Sequence, residues 1–184
     1  MPTDSSYTRS LSPEYALLGL LAQQPGHGYD LHQQLLTHLG HVWHVSQSQV
    51  YNILTRLETQ GFITGTVQEQ AKLPARRQFR LTVAGRRRFE TWLQTPTGSS
   101  VRAIRVEFVT RLYFARARSK QLAGDMIEMQ TAETCADVER LQRMLAELPT
   151  EQTFNRLGLE LRIRQLASIV EWLNECRVAL EIDT

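Results

Sequence analysis

Residues 46–61 constrain the fold more tightly than any other stretch of the chain. Val50, Ile53, Leu54 and Leu57 fall at i, i+3, i+4 and i+7, which is one stripe of an amphipathic helix. Ser46 at the N-cap with Gln49 three residues on makes a capping box, and Gly61 suits the left-handed position past the C-terminus. At about 100° per residue, Ser48, Asn52, Thr55 and Thr59 project opposite the stripe. Gln49 and Arg56 lie on one flank, Tyr51 lies on the other, and Gln47 opens the helix. These are mostly short, neutral hydrogen-bonding groups, unlike the Lys/Glu mixture of an ordinary solvated face. A hairpin pattern follows at once, residues 62–67 outward and 76–81 on the return, with arginines at its tip and on its second strand.

The segments before this helix set its place. Ser12-Pro13-Glu14 supplies an N-cap, a proline at N1 and an acid in the first turn. Residues 15–22 are almost wholly apolar, as in a short buried helix, and Pro25-Gly26 ends it. A second helix runs over 29–39 with Leu31, Leu35, Leu36 and Leu39 as its core stripe, and Gly40 breaks it before a turn holding Trp43. The helix at Ser46 is thus the third of a triad, in the recognition position. The wing pairs roughly residues 63–67 with 78–81 across a loop, 68–77, that contains Pro74. Thr82 caps a fourth helix, 83–94. The expected fold is mainly α with a small β-hairpin wing: a winged helix-turn-helix domain over residues 11–95, preceded by a disordered arm, 1–10.

A helix that buries one stripe beside an arginine-rich ribbon suits the DNA major groove and its flanking phosphates. Asn and Gln side chains match adenine edges, and Arg matches guanine. The candidate DNA-binding residues are Gln47, Ser48, Gln49, Tyr51, Asn52, Thr55, Arg56, Lys72, Arg76, Arg77 and Arg80. Net charge is only +2, but residues 70–89 hold seven basic side chains and no acidic one. A local basic cluster on a near-neutral chain is the footprint of phosphate contact. Arg86, Arg87 and Arg88 equally fit a solvated basic surface. The competing function is a winged-helix module that docks a protein partner; such a face should carry apolar anchors in place of Gln49, Asn52 and the wing arginines.

Residues 96–100 are a turn-rich linker, and the rest, 101–184, reads as helix throughout. Ile104, Phe108 and Leu112 share one line with Val109 and Tyr113 beside it. A second helix after Ser119 carries Leu122, Met126 and Met129, then Val138, Leu141, Leu145 and Leu148, and Pro149 stops it. A third carries Leu159, Ile163, Leu166, Val170 and Leu173. Helices of this kind cannot bury their stripes alone, which points to an antiparallel helical dimerisation module packed on a second subunit as well as on the first module.

Other chemistry finds little support. The five histidines, His27, His32, His38, His41 and His44, show no His-x3-His pair and share no segment with a cysteine, so they read as surface and turn residues and not as metal ligands. Cys135 and Cys176 have no histidine after the linker to activate them, and no phosphate loop or carboxylate pair stands out. No cofactor, no metal and no catalytic residue is expected. With no signal-peptide pattern, no membrane-length apolar run and two well-separated cysteines, a reduced cytoplasmic protein without membrane contact is expected.

In order along the chain, Leu17-Leu18-Gly19-Leu20-Leu21, Gly28-Tyr29-Asp30-Leu31, Val50-Tyr51-Asn52-Ile53-Leu54, Arg56-Leu57-Glu58, Gly61-Phe62-Ile63, Arg76-Arg77-Gln78-Phe79-Arg80-Leu81-Thr82 and Ala84-Gly85-Arg86 resemble the PadR family of bacterial transcriptional regulators. The resemblance spans residues 11–93, and the part ending in Trp172-Leu173 is similar to that family's longer dimerisation module. Gln78 departs from the pattern, where an aromatic is usual. The resemblance implies a homodimer on double-stranded operator DNA with inverted half-sites, and repression relieved by a small aromatic effector. Tyr15, Trp92, Phe108, Tyr113 and Trp172, on segments flanking the linker, are the candidate effector residues, with core packing the alternative role for each.

Overall fold

The computed structural model describes residues 12–70 and 73–182; the expected arm, 1–10, and Lys72 lie outside them. The chain divides after Thr95 into two compact units. In the first, α1 (Glu14–Gln23) follows Pro13, and the Ser12 hydroxyl accepts from the Glu14 N–H at 3.4 Å. Ala16, Leu17, Leu18, Leu20 and Leu21 are all buried. This helix is apolar all round because it touches α2 (Gly28–Leu39), α3 (Gln47–Thr59), α4 (Val83–Gln94) and the third strand.

Among the described residues three strands form the sheet, where the sequence predicts two. β1 (Gly26–His27), which the sequence marks only as a helix end, pairs with β3 (Leu73–Leu81), which also pairs with β2 (Ile63–Gln70). The order is β1-β3-β2, antiparallel throughout. Two residues of extended chain carry no periodicity, so nothing in the sequence marks β1. The wing is also longer than expected: pairing continues through Gln70 and Leu73, and Pro74 falls within β3 instead of a loop. It is tolerated because β1 covers β3 only at Gln78 and Phe79, leaving the Pro74 stretch with a single neighbouring strand.

Two helix readings need correction. Leu36 is 43% exposed and does not belong to the core stripe of α2; Leu31, Leu35 and Leu39 carry it. His32 is buried, not on the surface, and its Nε2 donates to the Val45 carbonyl at 2.9 Å. That bond ties α2 to the strand-like lead-in of α3, which is why a histidine sits on the inner face. Glycine requirements are equally local. A Cβ on Gly85 would lie 1.9 Å from the Phe62 carbonyl oxygen, so α4 can approach β2 only because residue 85 has none.

In the second unit α5 spans 101–118, with Ser100 capping its start and one π-helical turn at Ile104–Phe108. α6 (Lys120–Glu147) starts on the Ser119 hydroxyl, which accepts from the Leu122 N–H at 3.1 Å. α7 (Thr153–Ala179) returns along α6, and Arg156 donates to the Leu145 and Leu148 carbonyls, satisfying acceptors that the helix end leaves open. Ile104, Phe108, Leu112, Ala115, Ala123, Ile127 and Leu173 form the core. Glu107 and Arg111 make a fully buried ion pair one helical turn apart, and Arg111 also donates to the Thr97 hydroxyl at 3.0 Å. Met129, read as core, is 58% exposed. Phe154, Leu157, Leu161 and Val178 are exposed as well, at 54% or more, so the pairing of α6 with α7 leaves apolar surface uncovered.

Candidate nucleic-acid interface

The reading helix is built as its sequence requires. Val50, Ile53, Leu54 and Leu57 are buried, while Gln47, Ser48, Gln49, Tyr51, Asn52 and Thr55 are exposed. The capping box is present in full: Ser46 Oγ accepts from the Gln49 N–H, and Gln49 Oε1 accepts from the Ser46 N–H at 2.8 Å. Gln49 Oε1 thus has one acceptor position engaged, which leaves its second lone pair and its amide nitrogen for a ligand. Gly61, with φ of 74°, ends the helix in the left-handed region. Tyr51 lies against the start of α2; a Cβ on Gly28 would meet its ring at 2.6 Å. The missing Gly28 side chain thus decides where the Tyr51 ring rests.

Strand alternation separates the wing arginines. Register pairs Ile63 with Leu81, Gly65 with Phe79 and Val67 with Arg77, so these six share one sheet face. Arg76, Gln78 and Arg80 belong to the other face, with Thr64 and Thr66, and both Arg76 and Arg80 are exposed. Gln78, the departure from the aromatic pattern, pairs through its backbone with both His27 and Thr66 at the centre of the sheet. Arg77, its side chain still half exposed, lies on the face towards Glu58, with its guanidinium 5.6 Å from the Phe79 ring centroid, and donates to Glu58 Oε1 at 2.8 Å. The Gly65 N–H donates to that same oxygen at 2.8 Å, and His27 Nδ1 donates to the Arg77 carbonyl at 3.1 Å.

A second acid works at the other side of α3. Glu14, 7% exposed, accepts from Arg56 Nη2 at 2.9 Å and from Arg88 through its other oxygen. Arg88 in turn stacks over Phe62, 4.4 Å from the ring centroid, and lies 5.4 Å from Tyr15. Arg88 is consequently a cross-link between α1, β2's approach and α4, not part of a solvated basic face. In the sequence Glu14 is only an acid in a first helical turn and Glu58 only a residue of the Arg56-Leu57-Glu58 motif. An isolated Gly65 inside a strand pattern was the available signal for Glu58, since it marks close approach of another group.

The aromatic candidates fall into both units. Tyr15 and Trp92 stack on each other in the first, with ring centroids 4.8 Å apart. In the second, Trp172 packs edge-on to buried Phe108 at 6.2 Å, and Tyr113 packs edge-on to Phe114 at 5.0 Å. Trp172 also lines a groove of about 510 Å³ between α5 and α7, with Val101, Ile104, Arg105, Val109, Gln165, Ser168 and Ile169. Phe108 and Tyr113 are not part of its wall.

Comparison with known proteins accords with this architecture. Residues 17–91 match the family model described as the transcriptional regulator PadR-like family, and residues 104–181 match the one described as virulence activator alpha C-term. The negative transcriptional regulator PadR of Bacillus subtilis (strain 168) is 31% identical over 131 residues, 70% of this chain and 70% of that protein. This chain belongs to the PadR-like family of transcriptional regulators. Among solved structures, Bacillus subtilis PadR in complex with operator DNA is 27% identical, covering 91% of this chain and 98% of that one, with a TM-score of 0.44. The same protein in complex with p-coumaric acid is 26% identical over 92% and 95%, with a TM-score of 0.40. The PadR-like match takes in α3 and the whole wing, so Glu58, Arg76, Arg77 and Arg80 all lie inside it. It makes the chain a DNA-binding transcription regulator of a family that is not one of enzymes. Among the described residues no His, Cys, Asp or Glu cluster could hold a metal ion, and no helix is long and apolar enough to cross a membrane.

Proposed function

We propose that this chain is a cytoplasmic homodimeric repressor that reads an inverted-repeat operator in double-stranded DNA and is released by a small aromatic effector. Residues 11–95 are the DNA-binding domain, 96–100 the linker and 101–184 the dimerisation module. The observation that carries the reading is the exposed, uncharged face of α3, with Gln47, Ser48, Asn52 and Thr55, beside a wing that presents Arg76 and Arg80 outward. Neutral donors and acceptors suit base edges, and guanidinium groups suit phosphates. A protein-docking face would carry apolar anchors at those positions. Repression is supported by the relative's role as a negative regulator.

Dimerisation is supported by the uncovered apolar side chains of α6 and α7. Full burial would contribute roughly 1.5–3 kcal/mol at Phe154, which is 88% exposed, and about half that at each of Leu157, Leu161 and Met129, which gives a second copy good reason to cover them. Two reading helices about 34 Å apart then match one turn of B-DNA. The effector fits the α5–α7 groove: an apolar wall with Trp172 on one side suits a planar ring, and Arg105 at its edge suits an acid better than a cation. Release requires that the ligand bind more tightly to the form that cannot span two half-sites, so operator must weaken ligand binding by the same factor.

The test is titration of the chain against duplexes from its own upstream region at several salt concentrations, followed by addition of phenolic acids. Tight, salt-dependent binding of one duplex by two chains, reversed by a saturable aromatic acid, is expected. Equal affinity for all duplexes would remove the reading of sequence, and a monomer at micromolar concentration that still binds would remove the dimer.

A further inference from the structure

The two adjacent wing arginines face opposite ways, and this has a functional consequence that rests on the DNA-binding reading above. Glu58 stands on the last turn of α3 and holds both strands of the wing with one carboxylate oxygen: β2 through the Gly65 N–H and β3 through the Arg77 guanidinium, each at 2.8 Å. The Phe79 ring floors the Arg77 side chain. Gly65 makes room for it, because a Cβ there would lie 2.5 Å from Arg77 Nε and 2.9 Å from Glu58 Oε1. His27, on β1, fixes the Arg77 carbonyl from the other side. Consecutive strand residues point to opposite faces, so Arg76 and Arg77 do not stand side by side.

We propose that Glu58, Arg77 and Gly65 form a latch that sets the angle of the wing on the recognition helix, so that Arg77 is a positioning residue while Arg76 and Arg80 supply the wing's phosphate contacts. A hairpin joined to α3 by the three residues 60–62 has hinge freedom about them. An ion pair and a backbone hydrogen bond on one oxygen remove it, in a site partly shielded from solvent. The wing then reaches the backbone only where the reading helix is seated in register. Its contribution is therefore to discrimination between sites, not to the general attraction for DNA.

The experiment compares Arg76→Ala, Arg77→Ala, Glu58→Gln and Gly65→Ala in the full chain, with operator and unrelated duplexes, across a salt series. Arg76→Ala should flatten the dependence of log affinity on log salt by about one unit, as loss of a phosphate contact does. Arg77→Ala should leave that slope unchanged and lower the operator-to-random ratio by about two- to fivefold, the scale of a half-exposed ion pair. Glu58→Gln should lower that ratio as well, and because it removes a negative charge near DNA and frees Arg77, it should also raise affinity for random duplex at low salt. Gly65→Ala keeps every charge and a permitted backbone, yet it displaces Arg77 and should share the phenotype. The Arg77→Ala/Glu58→Gln pair should be no worse than either single change. A slope flattened by Arg77→Ala as much as by Arg76→Ala, or a Gly65→Ala chain with wild-type discrimination, overturns the latch. Amide exchange of Gly65 in the free protein reads the latch without DNA: it should quicken in Glu58→Gln, and an unchanged rate also overturns the proposal. Failure of the wild-type chain to bind any duplex would instead strike the proposed function.

Discussion

Replacing Glu14 with Gln should destabilise the winged unit and, at the same time, strengthen its non-specific grip on DNA. Glu14 is nearly buried and serves two guanidiniums, Arg88 with a side chain 27% exposed and Arg56 with one 51% exposed. The Arg88 contact is charge-assisted and backed by the Phe62 and Tyr15 rings, so about 1.5–3 kcal/mol rests on it. The Arg56 contact is half in water and screened, which limits it to about 0.2–1 kcal/mol. Glutamine keeps one acceptor oxygen and saves part of the sum, leaving a loss of about 1–3 kcal/mol. For a unit of this size that lowers the midpoint of thermal unfolding by roughly 5–15 °C. The chain has three tryptophans, and Trp43 and Trp92 belong to the first unit, so fluorescence in a Trp172→Phe background follows that unit alone. Meanwhile Arg56, released beside the reading face, should raise affinity for random duplex about two- to fivefold at 50 mM salt and have no effect at 1 M, where the Debye length is about 3 Å. A midpoint within 1 °C of wild type, or weaker non-specific binding from a folded variant, would show that Glu14 does not restrain these arginines.

Asn52→Ala should cost roughly 1–3 kcal/mol on the preferred operator and little on random DNA, seen by competition titration; an equal loss on both would place Asn52 on the backbone. Leu161→Glu, on the uncovered face of α7, should shift the sedimentation profile towards monomer while leaving helical circular dichroism intact, and a persisting dimer would move the interface elsewhere. Gly28→Ala should push the Tyr51 ring off its seat, since the added Cβ would approach within 2.6 Å of it, changing operator affinity with little change in unfolding midpoint. Burial pushes the Cys176 thiol up to about 11, with Glu175 adding to the shift, so its thiolate fraction at pH 8 is roughly a hundredfold or more below that of a free cysteine. Alkylation followed by mass spectrometry should therefore label Cys176 slowly, with a rate that still climbs between pH 9 and 11; rapid labelling at pH 7 would mean the thiol is not packed against the α5–α6–α7 core.

Much of the winged unit was written in local pattern. The α3 stripe, its capping box and the left-handed Gly61 are contacts within a few residues of one another, so spacing along the chain was enough to place them. The same holds for the Thr82 cap, the break at Pro149 and the three long helices after the linker. What the chain alone could not show is which charges are spent inside the fold. Glu14 meets Arg56 and Arg88 across separations of 42 and 74 residues, and Glu58 meets Arg77 across 19. By spacing alone a run of arginines is one basic surface, while the folded chain pairs Arg56, Arg77 and Arg88 with acids, the first two still half exposed, and places Arg76 and Arg80 on the opposite face of the wing from Arg77. His32 and β1 were hidden for the same reason, because a bond to Val45 and a two-residue pairing with β3 have no periodic trace. Periodicity records which side of an element is buried. Only the tertiary structure brings distant side chains to within 3 Å, and at that distance a charge ceases to be a general attraction and becomes a particular contact.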